Sequence, residues 1–160
     1  MVFAEMSEAG QLVGRKHIHL DAVGGVAGDM FIAAVLSAFP ALQEGMVAAI
    51  RAAGLPADIG SRLEPHRDHA MTGLRFAIEE AGHESVGRHH HSTFSDIRRQ
   101  LQSAPLQPAV CAGSIEMFTL LAGAEAKVHG MAVDEVSFHE LGEWDSISDI
   151  VGAAFLICEL

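Results

Sequence analysis

Basic residues are scarce in this sequence. Ten Lys+Arg stand against 21 Asp+Glu, a net charge of −11 over 160 residues. A chain this acidic offers no basic face to nucleic acid or to an anionic membrane. An anionic ligand would need a local device, such as a helix N-terminus or a nest of backbone N–H groups. Cysteine is scarce too. Cys111 and Cys158 sit in apolar helical text with no CxxC pair. That argues against a closed structural zinc site. It fits two buried free thiols in a reducing compartment, with a disulfide left open. Long apolar runs are also missing. The longest is about ten residues, too short to span a bilayer. The opening MVFAEMSEAGQLVGRK carries acids and no apolar signal-peptide core, so cytoplasm is the default location. No internal repeat or low-complexity linker breaks the chain.

What is present is a globular composition, 49% apolar, at a length that suits one domain with a real core. Histidine is abundant, with ten in all, and His83, His89, His90 and His91 fall within nine positions. Imidazole is the common nitrogen ligand of nickel, zinc and copper.

Residues 1–15 read as a loose leader and His17–Asp21 as a short strand. Met30–Phe39 is apolar all round, which predicts a buried helix stopped by Pro40. A second helix is expected over Leu42–Ala53, with Gly54 as its stop. SRLEPHR and LRFAIEE alternate as two antiparallel strands around HAMTG. AGHESVGRHHHS reads as a polar loop. A short helix follows over Phe94–Leu101, capped by Ser92 or Thr93. Pro108 opens the longest helix, which ends at Lys127, His129 and Gly130 as the macrodipole and the C-cap prefer. Glu135–His139 suggests a short strand. Asp145 is placed to cap a last helix, whose stripe is Ile147, Ile150, Val151, Ala154 and Cys158. The expected class is α+β, a helix-rich domain with a small mixed sheet.

Three stretches can carry chemistry. In HLDAVGGVAGDM, a strand, a glycine turn and a helix start would aim N–H groups at an anion. Asp29 complicates this, because a carboxylate there can cap the helix and would repel phosphate. A pair made by Asp21 and Asp29 could instead hold a cation that carries the phosphate, and plain capping stands equal to either reading. FHELGEWDSISD gathers His139, Glu140, Glu143, Asp145 and Asp149. Asp145 and Asp149, at i and i+4, share one face. Here an N-cap and a solvated face compete with a ligand set. GHESVGRHHH is a surface loop suited to gathering metal weakly, or a solvated linker.

HLDAVGGVAGDMFIAAVL, the internal HHH, and LAGAEAKVHGMAVDEVSFHELGEWDSISDIVGAA together resemble the nickel insertion protein (LarC) family, over roughly residues 16–160. The chain departs from the family pattern at Asp68, His69 and Ala70, and its His run is short. Family members are longer, so the resemblance implies an N-terminal domain cut before a second, nucleotide-associated domain. It implies CTP-dependent insertion of Ni2+ into pyridinium-3,5-bisthiocarboxylic acid mononucleotide, giving the nickel-pincer nucleotide of lactate racemase. The CTP, with a divalent cation, would bind mainly outside these residues. On that footing Asp21, Asp29, His139 and Glu140 are the expected catalytic set. Gly24, Gly25 and Gly28 would face a phosphate. His89, His90 and His91 would gather nickel for His139 and Glu140. Expected partners are the mononucleotide substrate, the rest of the chain and a second copy. Two other readings are a nickel or zinc storage module, which needs no nucleotide, and a metal-dependent phosphohydrolase, which needs no sulfur substrate.

Overall fold

A computed structural model describes residues 17–69, 71–80, 92–138 and 144–160. Five helices and one hairpin make up these residues. They are α1 (Gly28–Ala38), α2 (Gln43–Ala52), β1 (Ile59–Asp68), β2 (Met71–Glu80), α3 (Phe94–Ser103), α4 (Pro108–His129) and α5 (Trp144–Glu159). The helix-rich α+β class is as expected. The sheet is a single antiparallel pair running from Ile59↔Glu80 to Asp68↔Met71. Residues 17–21 do not pair with it, and among the described residues no parallel strand joins it. Backbone pairing over IGSRLEPHRD and MTGLRFAIEE continues to Asp68↔Met71, past the point where buried and exposed residues alternate, which makes the strands longer and the loop tighter than the expected HAMTG. Glu135–His139 is likewise not a strand among the described residues. A 3-10 turn over Val133–Glu135 leads into one isolated bridge, Thr93↔Ser137.

Helix boundaries follow the local chemistry. Pro40 ends α1 and begins a 3-10 turn that bends the chain into α2. Gly54, at φ +106°, turns the chain away from α2. Thr93 caps α3 in a reciprocal box. Its hydroxyl accepts the Asp96 N–H, and the Asp96 carboxylate accepts the Thr93 N–H. Pro108 occupies the first turn of α4, and Gly130, at φ +66°, closes it in the left-handed conformation. His129 pairs with Glu125 one turn back, 3.2 Å away, rather than serving as the cap.

The core forms around α5, which packs against α1, α2 and α4 and touches β2. Ile147, Val151, Ala154, Phe155 and Leu156 supply its buried side. Two glycines allow the close crossings. A Cβ on Gly45 of α2 would lie 2.6 Å from the Phe155 ring. One on Gly152 of α5 would lie 2.9 Å from Ile32 Cδ1, with Ile50 and Met46 just beyond. The thiols differ from expectation. Both are free, but Cys158 is exposed and Cys111 is partly exposed. Cys158 falls where the last turn of α5 leaves the core, beside exposed Ile157 and Glu159.

The Gly152 contact gives a stability test. Gly152→Val puts two branches where one methyl already meets Ile32. It should destabilise the fold by about 1–3 kcal/mol, as overpacked cores do, read as a lower urea midpoint at unchanged m-value. An unchanged midpoint would mean that α1 and α5 do not cross this closely.

Candidate functional site

The approach to α1 is made by backbone conformation. Gly25 N–H donates to the Ala22 carbonyl at 3.0 Å, which closes a turn. Gly24 and Gly25 lie at φ +87° and +99°, where side chains are strained, and a Cβ on either would meet nothing within 4 Å. These two glycines are therefore needed for the bend, while the space beside them is open. Asp21 stands exposed before the turn.

Gly28 has a different task. It is the first residue of α1, and a Cβ there would fall 2.6–2.8 Å from Cβ, Cγ and Oδ2 of Asp149. Only a residue without a side chain lets α5 bring its carboxylate to this helix end. Asp149 Oδ2 then accepts the Asp29 N–H at 3.1 Å. Ala27, the N-cap residue, has no side chain that can cap. The free N–H at the start of α1 is thus satisfied from a helix 120 residues away in sequence. Asp29 itself lies inside the first turn, its Oδ1 accepting the Met30 N–H at 2.8 Å.

Two carboxylates share this helix start, and their electrostatics oppose each other. Partial burial and then the Asp29 charge push the Asp149 carboxyl up to about 6. The Asp29 N–H pulls the other way, and Asp145 adds a small upward push. Asp145 is in the first turn of α5, one residue inside the expected cap position, because the helix begins at Trp144. Next to Asp149, the Ser148 hydroxyl is fully buried and has no partner among the described residues.

Such a cluster can take up a proton or a cation, and either relieves the repulsion between Asp29 and Asp149. Carboxylate oxygens ligate divalent metals, but the described residues do not form a full shell. Among them no three His, Cys, Asp or Glu side chains stand together closely enough to hold an ion. Asp21 shares no hydrogen bond with Asp29. His139, Glu140, His89, His90 and His91 lie outside the described residues. Asp149 is absent from the expected catalytic set, because the sequence left it between a helix-end or solvated role and a ligand role. The signal available was a lone carboxylate between Ile147, Ile150 and Val151, together with a glycine directly before Asp29.

The raised pKa fixes a pH dependence. Unfolded, Asp149 titrates near 3.8; folded, it titrates at about 6. Between these values the folded chain holds a proton that the unfolded chain has lost. Stability from this group is therefore full below about 4 and falls as the pH rises through about 6. Asp149→Asn keeps an acceptor for the Asp29 N–H and removes the charge. It should flatten the melting profile between those pH values. At neutral pH it should stabilise by about 1 kcal/mol, a figure already reduced because the group is partly exposed. A mutant profile as steep as wild type would count against the coupling.

Comparison with known proteins places the sequence in a family. A family model described as nickel insertion protein matches residues 18–160. The chain is 37% identical, over 140 residues, to the pyridinium-3,5-bisthiocarboxylic acid mononucleotide nickel insertion protein of Akkermansia muciniphila, covering 86% of this chain and 34% of that protein. It is 33% identical over 147 residues to the protein of the same name from Staphylococcus epidermidis, covering 91% of this chain and 35% of that one. The chain thus spans about a third of the length of these curated relatives. No solved structure matches. Matched by that family model over nearly its whole length, the chain belongs to the nickel insertion protein family.

Proposed function

We propose that this chain is the N-terminal, nickel-handling domain of an enzyme that inserts nickel into pyridinium-3,5-bisthiocarboxylic acid mononucleotide in a CTP-dependent reaction. Nickel and the mononucleotide are the substrates, and the CTP site belongs to the remainder of the protein. The observation that carries this reading is the Asp149 carboxylate seated on the first turn of α1 beside Asp29. The names of the two relatives supply the substrate.

The chemistry follows from that substrate. Two thiocarboxylates at ring positions 3 and 5 flank C4, so a metal held by both sulfurs sits over that carbon. Forming a nickel–carbon bond there expels the ring proton. A carboxylate beside the site that is not holding the metal accepts it as a general base. Nickel is delivered by oxygen and nitrogen donors, here Asp29 and Asp149 with His139 and Glu140. These hold it well enough to select it and release it to sulfur more readily than thiolates would. His89, His90 and His91 gather the ion. The open turn at Gly24 and Gly25 receives the phosphate of the mononucleotide, with the cation offsetting the Asp21 and Asp29 charges.

Asp29→Asn tests the site with little disturbance to the fold, because Asp149 still accepts the residue-29 N–H and the Asn side-chain oxygen can still accept the Met30 N–H. Nickel affinity, by calorimetry on the purified chain at neutral pH, should fall about tenfold or more, the scale of losing a charged ligand or its close support. The melting temperature should hold or rise, since a repulsion has been removed. Wild-type affinity in Asp29→Asn would overturn the assignment. The triple change of His89, His90 and His91 to Ala should lower the number of nickel ions bound while the stability of the metal-free chain stays within about 0.5 kcal/mol of wild type, the range expected from the polar sequence around them. Unchanged stoichiometry would remove the loop from the scheme.

A further inference from the structure

The outer side of α4 is not the polar face that a surface helix normally presents. Val110, Ser114, Phe118, Ala122 and Ala126 face the core. On the far side, Leu120 is 71% exposed and Val128 79% exposed. With exposed Ala124 between them, they fall on one stripe at spacings of four residues along the second half of the helix. Exposed Met131 and Val133 continue it past the helix end. By length and composition this helix is apolar enough to cross a membrane, yet it belongs to a chain of net charge −11. A continuous exposed apolar surface of this kind marks an interaction site.

Charge identifies the occupant. Glu116 and Lys127 lie along one flank of the stripe, eleven residues or about three turns apart, both exposed. Neither has an ion pair among the described residues, whereas Glu125 and His129 on the same helix satisfy each other. Opposite charges at equal distances either side of a point between Leu121 and Ala122 are complementary to themselves when the helix is reversed about that point.

We propose that α4 is a homodimer interface, in which two copies pair their α4 helices antiparallel about a two-fold axis beside Leu121. In an isologous contact residue i meets j and j meets i. An axis midway between Glu116 and Lys127 therefore forms that ion pair twice, flank against flank. Leu120 of each copy enters the space over Gly123 and Ala124 of the other, where small side chains allow close approach. The apolar stripe is covered, and the charges fix direction and register, as flanking charges do in coiled coils.

Sedimentation equilibrium on the 17.0 kDa chain should show reversible doubling of mass across the micromolar range. Leu120→Asp changes an exposed position and should give a monomer with an unchanged far-ultraviolet spectrum. Glu116→Lys alone and Lys127→Glu alone each place like charges together twice and should weaken the dimer about tenfold or more. The double swap should restore it, and high salt should shrink all these differences. A chain that stays monomeric at every concentration overturns the proposal, whether or not its α4 then binds phosphatidylcholine vesicles. So does a dimer indifferent to the charge inversions.

Discussion

One hydrogen bond joins the two helix starts on which the candidate site depends. Asp149, a turn into α5, accepts the Asp29 N–H at the head of α1, and Gly28 leaves the room that its side chain occupies. The two helices advance together from that point, since Gly28 lies against Asp149 and Ile32 against Gly152. α2 runs the other way along α5, with Ile50 by Gly152 and Gly45 by Phe155. The arrangement is tied at its far corner by Gln100 of α3, whose side chain donates to the Ala53 carbonyl at 2.8 Å where α2 ends. Packing of an apolar core and placement of a carboxylate are thus one geometric problem, solved by glycine at each close approach.

That solution carries a built-in conflict. The acceptor that satisfies α1 is a charged group, half withdrawn from water and next to a second carboxylate. Folding tolerates it because the N–H and the helix dipole favour negative charge there. A divalent ion would turn the same repulsion into binding. The outer face of α4 lies on the opposite side of that helix from its core contacts, so assembly through it leaves the packing around α5 intact.

Much of the fold was legible because its signals are local. Pro40, Gly54, Thr93, Pro108 and Gly130 each act within one turn of themselves, and each bounds an element where the sequence places it. Failures occurred where a local signal needed a distant partner. Residues 17–21 have strand-like text, but a strand needs a neighbour and the hairpin offers none. Cys158 fits the helical stripe of α5, yet the core ends before the last turn. Asp145 looked like a cap and lies just inside the helix.

The sequence by itself determined the helices, the hairpin, the glycine bend before Asp29 and the family, because these depend on periodicity, backbone restrictions and a run of residues in order. Only the tertiary structure decided which acid matters. Asp145 and Asp149 are equivalent in the sequence, one turn apart on one helix. Crossing of α5 over the start of α1 leaves Asp145 exposed and carries Asp149 onto a backbone N–H, into partial burial and beside Asp29. The pKa of a carboxylate is set by its surroundings within a few ångströms, and those surroundings come from a segment 120 residues away.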